Sequence, residues 1–339
     1  MSKLEVRKLK VGIIGLGVGE VHIAGYNSHR DCAVSMLCDI SKSKLTEVAK
    51  KYPNLKTTEN PNEILNDPEI DVVSIASYDN CHYEQIVQAI QNGKHVFVEK
   101  PLCLYFEEAK EIRSLLENKP NLKLSSNLIL RKSPRFIKLK EMVSAGQFGK
   151  MFYAEGDYHY GRLEKITEGW RGQLPFYSVV YGGSVHLIDL MLWLTTDMIE
   201  EVAAYGNQIV SKGSQFHFND CVVSILKFKS GMVAKVTADF GGVRPHFHDL
   251  SIYGTKATFV NDFPNAKLFL SRDPKQQPQK ITEPYPGVQK GDLIYNFIDS
   301  IANGVKPEIS AEDVFKAMSV CFAIEESVKQ GKPVRVNYL

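Results

Sequence analysis

The feature that most constrains this fold is an apolar run that ends in a cluster of glycines near the N-terminus. Residues 11–19 read Val-Gly-Ile-Ile-Gly-Leu-Gly-Val-Gly and lead into a helical pattern. A strand, a glycine turn and a helix in this order let the backbone approach a pyrophosphate, whose charge the helix N-terminus stabilises. The alternative is a tight strand-to-helix turn that binds nothing. The third glycine of the usual G-x-G-x-x-G pattern would fall at Glu20 and comes one residue early. The candidate nucleotide contacts are Gly15, Gly17, Val18 and Gly19.

An acidic residue, Asp39, follows the next predicted strand. About 20 residues after such a glycine turn, a carboxylate accepts hydrogen bonds from the adenosine ribose. A carboxylate there also repels a 2′-phosphate, so the sequence predicts NAD(H) rather than NADP(H). Lys42 and Lys44 leave NADP(H) open as an alternative. The structural alternative for Asp39 is a cap at the start of a helix.

Short apolar runs alternate with helical patterns through the first part of the chain. This alternation is typical of βαβ units and a doubly wound parallel sheet. We predict an NAD-binding Rossmann domain over residues 1–125, with strands at 10–16, 33–38, 72–75, 95–98 and 122–127.

The pattern changes after residue 127. A helix over 134–144 is followed by longer alternating strands with few helices between them, which predicts a large, mostly antiparallel open sheet in an α+β domain. We assign residues 126–339 to this second domain, for substrate binding and oligomerisation. The predicted strands are 151–158, 201–207, 220–228, 233–240 and 248–253, with strand and loop over 262–291 and a last helix over 311–330.

The open face of this second sheet is the predicted subunit interface. A large apolar sheet face is unstable against water and favours association. The sequence therefore predicts a homodimer or homotetramer. The apolar positions assigned to this face are Val222, Ile225, Phe228, Val233 and Val236.

Composition and charge exclude several classes of partner. Lys and Arg number 41 and Asp and Glu 39, so the net charge of +2 is too small for a protein that binds a nucleic-acid backbone. No apolar stretch is long enough to span a bilayer, and the N-terminus lacks the apolar core of a signal peptide. We expect a cytoplasmic protein with no nucleic-acid or membrane partner. The six cysteines lack metal-ligand spacing, and no metal is expected even though His246 and His248 share a strand face.

Several motifs along nearly the whole chain resemble those of the Gfo/Idh/MocA family, named for glucose-fructose oxidoreductase and inositol dehydrogenase. Besides the glycine turn they comprise Ser77–His82, Gly93–Val96, Glu99-Lys100-Pro101, Arg131, Gly146 to Gly149 and His186–Leu190. The resemblance implies an NAD(H)-dependent oxidoreductase that moves a hydride between nicotinamide and a secondary hydroxyl. The implied substrate is a small sugar, polyol or sugar nucleotide.

The Glu99-Lys100-Pro101 motif follows a predicted strand, and the carboxyl ends of such strands open onto the ligand crevice of a doubly wound sheet. A lysine held there can hydrogen-bond a reacting hydroxyl and direct its proton. By itself, a lysine at a strand end is more often a solvated surface residue. The resemblance implies that Lys100 is catalytic and that Lys100-Pro101 is a cis peptide. It also implies that Glu99, Lys100, Ser77, Asn80 and His82 line the cofactor pocket; the alternative for the last three is a polar loop cap.

The second predicted catalytic element is the segment Gly182 to Asp189. Two glycines start a helix on which His186 and Asp189 lie one turn apart. The resemblance implies that His186 contacts the substrate hydroxyl and acts as a general base, whereas Asp189 orients the helix or neighbouring side chains. Many family members carry an Asp four residues before this His, where the chain has Gly182. Either Lys100 and His186 suffice, or Tyr181, Tyr177 or Tyr160 compensates.

Substrate-side candidates precede this helix. Aromatic faces stack on sugar rings or a base, and arginine can hold a carboxylate or pyrophosphate. We assign Tyr158, Arg171 and Tyr181 to the substrate together with Lys100 and His186, against the alternative that the aromatic residues belong to the core. The absent Asp also raises the chance of a nucleotide-linked amino sugar, because family branches with such substrates vary this position. Two other functions remain open: a glycosidase or lyase that uses bound NAD transiently, and a nucleotide-binding regulatory protein with a decayed active site.

Overall fold

A computed structural model describes residues 7–339, which divide into two compact units. The first contains residues 7–129, 289–315 and 339, and the second contains 130–288 and 316–338. The helices are, in chain order, α1 (Gly19–Asn27), α2 (Lys42–Lys51), α3 (Pro61–Leu65), α4 (His82–Gln91), α5 (Phe106–Glu117), α6 (Pro134–Ser144), α7 (Glu164–Thr167), α8 (Val185–Thr195), α9 (Asp292–Ala302) and α10 (Ala311–Gln330). Among the described residues, no helix has the length and apolar character needed to cross a bilayer.

The first unit is built on a six-stranded parallel sheet in the order β3-β2-β1-β4-β5-β6. Its central strands are buried on both faces, as expected where helices cover a parallel sheet on both sides. The doubly wound fold predicted from the sequence is therefore confirmed, and only the short edge strand β3 was not predicted. The strands are β1 (Leu9–Ile14), β2 (Cys32–Cys38), β3 (Lys56–Thr58), β4 (Val72–Ile75), β5 (His95–Val98) and β6 (Leu124–Ser126).

The second unit contains a nine-stranded sheet in the order β14-β13-β12-β11-β7-β10-β9-β8-β15. Its strands pair antiparallel except for β7 with β10. This confirms the predicted mostly antiparallel sheet. The strands are β7 (Met151–His159), β8 (Ile199–Asn207), β9 (Cys221–Phe228), β10 (Val233–Asp239), β11 (Phe247–Gly254), β12 (Thr258–Val260), β13 (Ala266–Phe269), β14 (Gln279–Ile281) and β15 (Val334–Arg335).

The prediction for the open face of this sheet was wrong for three of its five residues. Val222, Phe228 and Val236 are buried, whereas Ile225 and Val233 are exposed. Because side chains alternate between the faces of a strand, residues of opposite parity on one strand cannot share a face. The exposed apolar side chains on the central strands β9 and β10 are Val223, Ile225 and Val233.

Residues 289–315 group with the first unit, although the sequence interpretation placed them in the second domain. Helix α9 packs against α1, where a Cβ built on Gly25 would stand only 2.7 Å from the carbonyl oxygen of Gly291. The ring of Tyr295 also lies 4.6 Å from that of His29. The predicted domain boundary at residue 125 stays a prediction.

Candidate active site

The three glycines of the first turn meet three different structural demands. Gly15 has φ +87°, and a Cβ there would overlap the carbonyl group of Ala76. A Cβ on Gly17 would meet no atom within 4 Å, so the turn presents bare backbone to open space. At Gly19 a Cβ would stand 2.9 Å from Cγ2 of Ile13, which shows how closely α1 packs on β1. These are the demands that a pyrophosphate-binding turn places on its glycines, and Gly19 meets the third despite its shifted position.

Glu20, which stands where the usual pattern has a glycine, points to α2 instead. It forms ion pairs with Lys44 at 2.8 Å and Lys51 at 2.7 Å, and these hydrogen bonds lower the pKa of its carboxyl group. Lys44 also lies 3.3 Å from a carboxylate oxygen of Glu47. The carboxylates of Glu20 and Glu47 therefore both pair with Lys44, one of the two lysines that had left NADP(H) open as an alternative.

Asp39 follows β2 and connects the glycine turn to the start of α2. Its Oδ2 accepts a hydrogen bond from the backbone N–H of Leu16 at 2.7 Å, and its Oδ1 accepts one from Ser41 at 2.8 Å. The side chain of Ser41, rather than Asp39, caps α2 by accepting from the N–H of Lys44 at 3.3 Å. Asp39 thus holds the turn in place while its carboxylate remains half-buried.

The polar residues that follow β4 have distinct surroundings. Ser77 donates a hydrogen bond to Gln85 at 2.8 Å, and Asn80 is exposed in a short 3-10 turn. The His82 ring is fully buried, with Nδ1 2.7 Å from the carbonyl oxygen of Pro101 and Nε2 3.2 Å from that of Ser77. His82 therefore joins the loop after β4 to the segment after β5.

Lys100 is the second residue after β5 and is half-buried, and its peptide bond to Pro101 is cis, as the resemblance implied. The preceding residue, Glu99, is buried. Its Oε1 accepts a hydrogen bond from the side-chain amide of Asn127 at 2.7 Å and lies 3.3 Å from Nε2 of His22.

A charged group from the far end of the chain completes the surroundings of Glu99. The ammonium group of Lys290 lies 3.9 Å from Oε1 of Glu99. Burial raises the pKa of the Glu99 carboxyl group, but Lys290, His22 and Lys100 together lower it by more, so the pKa lies below the ordinary value. A buried negative charge therefore precedes Lys100. No local sequence pattern marks His22, Asn127 and Lys290 as neighbours of Glu99, because they come from three distant segments of the chain.

In the second unit, a π-helical turn, Val180–Ser184, leads into α8, which carries His186 and Asp189. Asp189 accepts two hydrogen bonds from the guanidinium group of Arg131, from Nε at 2.9 Å and from an Nη atom at 2.5 Å. Both side chains are almost completely buried. This pair ties the helix of His186 to the segment before α6, an orienting role that the sequence had suggested for Asp189.

His186 belongs to a cluster of rings on the covered side of the second sheet. Its ring is nearly parallel to that of Tyr158, with the ring centroids 6.4 Å apart. It lies edge-on to the ring of His248, with centroids 6.1 Å apart. Nδ1 of His248 lies 2.6 Å from the hydroxyl oxygen of Tyr285. Tyr158 is buried, and its ring centroid is 5.3 Å from that of His246. The sequence placed Tyr158 and His186 together; His248 was considered only as a metal ligand, and Tyr285 was missed.

Arg171 and Tyr181, the other predicted substrate residues, have different environments. The Arg171 guanidinium carbon lies 4.5 Å from the Trp170 ring centroid and 5.9 Å from that of Tyr177. The buried ring of Tyr181 packs 5.6 Å from Phe322 of α10. Tyr181 is thus a packing residue here, and its predicted substrate contact remains untested.

One group of metal-type ligands occurs among residues 7–339, on the open face of the second sheet: Asp157, His159 and Asp249. Lys235 pairs with Asp157 at 2.9 Å, and Arg244 pairs with Asp249 at 2.8 Å. Because these cations already compensate the two carboxylates, we interpret the group as an ion-pair network.

Comparison with protein-family models gives two matches of one family. A Gfo/Idh/MocA model described as "Oxidoreductase family, NAD-binding Rossmann fold" matches residues 9–127. A model described as "GFO/IDH/MocA C-terminal domain" matches residues 136–260. The two matches fall on different sheets of the structure.

Similar proteins cover the chain almost end to end. The myo-inositol 2-dehydrogenase of Thermotoga maritima is 25% identical over 97% of this chain and 99% of that protein. The structure of scyllo-inositol dehydrogenase from Lactobacillus casei with NAD(H) and scyllo-inositol has a TM-score of 0.82 at 20% identity, over 97% and 99% of the chains. Levoglucosan dehydrogenase in complex with NADH and levoglucosan has a TM-score of 0.85 at 22% identity, over 97% and 100%. The two solved structures share the fold of this chain.

Proposed function

The chain belongs to the Gfo/Idh/MocA oxidoreductase family, and from this premise we propose that it is a dehydrogenase that exchanges a hydride between NAD(H) and a secondary hydroxyl of a sugar, polyol or sugar nucleotide. The predicted oxidoreductase class and NAD cofactor are confirmed by the family that matches residues 9–127. The substrate class is supported by relatives named for inositol and levoglucosan. The observation that carries the proposal is the presence of Lys100 in the segment after β5 and of His186 on α8, in a chain matched over both of the family's domains.

The first unit fits the dinucleotide. Gly17 leaves open space where a pyrophosphate would approach, and α1 begins directly beyond the turn, so its N-terminal amides would stabilise the phosphate charge. Asp39 would accept hydrogen bonds from the adenosine ribose while it holds the N–H of Leu16. With Lys44 paired to Glu20, we propose that NAD(H) is preferred over NADP(H).

Bound NAD supplies the acceptor for the hydride. We assign the proton of the reacting hydroxyl to Lys100 and His186. The Lys100 ammonium group donates a hydrogen bond to the hydroxyl oxygen, and the His186 imidazole accepts the hydroxyl proton, because histidine is the side chain that most often acts as a general base. In the reverse direction His186 returns the proton.

Other residues keep these two groups in place. His82 holds the carbonyl of Pro101, and the Glu99 network fixes the chain on the other side of Lys100. The hydrogen bonds between Arg131 and Asp189 fix α8, the helix that carries His186, one turn after that residue. Positioning of this kind matters because proton transfer needs the donor and acceptor within hydrogen-bond reach.

We place the sugar or polyol against Tyr158 and Arg171, which offer an aromatic face and a cation. We also propose a homodimer or homotetramer that covers the exposed apolar side chains of the open sheet face, Val223, Ile225 and Val233.

The test is to measure NADH formation from NAD with a panel of myo-inositol, scyllo-inositol, levoglucosan and common hexoses and sugar nucleotides, and to repeat it with NADP. We expect NADH to form with at least one member and faster with NAD than with NADP. Turnover of a glycoside without net NADH would favour the glycosidase or lyase alternative. NAD binding with no turnover of any member would favour the regulatory alternative.

A further inference from the structure

Gly182, in the segment that leads to His186, packs against Tyr177 so closely that there is no room for a side chain at position 182. A Cβ built on Gly182 would overlap the hydroxyl oxygen of Tyr177 and would stand 3.0 Å from Cζ of that ring. The next nearest atom is Cζ of Phe240, at 3.5 Å. Tyr177 is 3% exposed, so its hydroxyl lies inside the second unit.

This hydroxyl packs against a residue that lies about one helical turn before the proposed general base. Gly182 precedes His186 by four residues, which is about one turn, across the junction between the π-helical turn Val180–Ser184 and α8. The N–H of Gly182 bonds to the carbonyl oxygen of Ser178 at 2.9 Å, and the N–H of Val185 bonds to that of Val180, so the backbone is helical up to the start of α8. The hydroxyl of Tyr177 therefore takes the space, one turn before His186, that a side chain at position 182 would fill.

Packing on several sides fixes the Tyr177 ring. It meets Phe216, Phe240 and Trp170 edge-on, with centroids 5.8, 6.4 and 6.5 Å away. Phe240 stacks on Tyr158 at 5.7 Å, and Tyr158 stacks near His186. Tyr177 is thus part of the same ring cluster as the proposed substrate residues, and its hydroxyl has little freedom to move.

We propose that the Tyr177 hydroxyl is a further substrate-binding group, which contacts a non-reacting hydroxyl of the sugar or polyol, and that Gly182 is the residue that admits it. This rests on the proposed function, because it takes His186 as the site of the reacting hydroxyl. A phenolic hydroxyl both donates and accepts hydrogen bonds, as does each hydroxyl of a polyol. A buried group of this kind discriminates strongly against a substrate that lacks its partner.

The test is a cycle between Tyr177→Phe and the substrate. For the panel member that turns over best, kcat/KM is measured for that compound and for each of its mono-deoxy analogues, with wild type and Tyr177→Phe. We expect that, in wild type, the analogue lacking one particular non-reacting hydroxyl has a kcat/KM about 10- to 100-fold lower than that of the parent compound. In Tyr177→Phe we expect kcat/KM for the parent compound to fall by a comparable factor relative to wild type. For the deoxy analogue, kcat/KM should differ little between Tyr177→Phe and wild type. The Kd for NAD should not change.

Two further variants separate this role from a structural one. Tyr153→Phe removes a tyrosine hydroxyl of the open sheet face, which donates to Glu155 at 3.0 Å, and should leave the deoxy pattern as in wild type. Gly182→Ala should lower kcat/KM on the parent compound, and the loss should be smaller in the Tyr177→Phe background, where the overlapping oxygen is gone.

The same deoxy penalties in wild type and Tyr177→Phe would overturn the role of Tyr177 while leaving the dehydrogenase proposal intact. A wild-type protein that forms NADH with no panel member would overturn both. The two failures are therefore distinguishable in one data set.

Discussion

Oε1 of Glu99 accepts a hydrogen bond from the side-chain amide of Asn127 at 2.7 Å, which joins the residues that follow two neighbouring parallel strands, β5 and β6. His22 and Lys290 approach the same oxygen. A carboxylate held in this way next to Lys100 fixes the direction in which the chain leaves β5. It also places a buried negative charge beside the lysine that we assign to catalysis.

The Glu99 carboxylate should stabilise the folded state in a pH-dependent way. Its pKa in the folded protein is lower than in the unfolded chain, where glutamate titrates near about 4.3. The stabilisation is therefore present above that pH and is lost as the pH falls below it. We expect Glu99→Gln to lower the free energy of unfolding by about 1–3 kcal/mol near neutral pH, and the difference from wild type to shrink toward about pH 3.

Thermal melting at several pH values checks this. Glu141→Gln, at a glutamate whose side chain is 62% exposed beside Lys138, is the matched control and should melt like wild type. A difference between Glu99→Gln and wild type that stays constant down to acid pH would contradict the expected ionisation.

Lys100→Ala and His186→Ala should each lower kcat by about 10²-fold or more, the usual effect of losing a positioned acid or base. The double variant should lose less than the product of the two, because groups that act as one unit fail together. NAD affinity should change little. Steady-state kinetics and NADH titration measure these quantities, with Lys110→Ala on α5 as a control. Full activity in Lys100→Ala would refute the mechanism.

Asp39→Asn should lower the ratio of the Kd for NADPH to the Kd for NADH by about tenfold or more. A tenfold change in this ratio corresponds to about 1.4 kcal/mol. The change removes the charge that repels a 2′-phosphate but leaves an oxygen to accept one of the two backbone hydrogen bonds. Asp39→Ala should narrow the preference too and also destabilise the glycine turn. Fluorescence titration with both cofactors decides the matter, and equal affinities in wild type would contradict the assignment.

Asp189→Asn should destabilise the second unit by about 3–5 kcal/mol, because the Arg131 guanidinium would remain buried without its counter-charge. Replacing both partners with apolar residues, as in Arg131→Met with Asp189→Leu, should lower the free energy of unfolding by less than Asp189→Asn alone. Denaturant unfolding followed by circular dichroism measures both. Equal unfolding midpoints in wild type and Asp189→Asn would show that the pair is not needed to hold α8.

Light scattering should report a dimer or tetramer at micromolar concentration if the open sheet face is an interface. Val223→Asp should then shift the protein toward monomer, because it introduces a charge at an apolar position on that face. Val305→Asp, at a valine of similar exposure outside the sheet, is the control. A wild-type monomer would refute the assembly, and equal effects of both substitutions would place the interface elsewhere.

Several parts of the fold follow from local pattern. Strands β4 and β5 and helices α6 and α10 have the predicted limits, because apolar periodicity and terminating residues mark them within a few positions. The sheet type follows for the same reason, since buried runs between helices differ from alternating strands. Edge strands such as β3 and β14 carry few apolar residues and could not be read in this way.

The candidate site was only partly accessible from the sequence. Motifs pointed to Asp39, Lys100 and His186, whereas the roles of their neighbours depend on contacts between distant segments. The assignment of His82 to the cofactor pocket stays a prediction, and only the structure shows that its ring lies between two backbone carbonyls. Val222 was predicted on the open face together with Ile225, but the two side chains lie on opposite faces because they are three residues apart along β9.

The sequence by itself determined that a strand, a glycine turn and a helix would follow one another near the N-terminus, with an acid after the next strand, because each of these is specified by a few consecutive residues. Only the tertiary structure decided that Lys290 would stand beside Glu99, that Glu20 would turn to Lys44, and that the Tyr177 hydroxyl would fill the space at Gly182. The physical reason is range. Propensity and periodicity act over a turn or a strand, whereas buried charges and fitted rings take their partners from whatever segments the packed chain brings together.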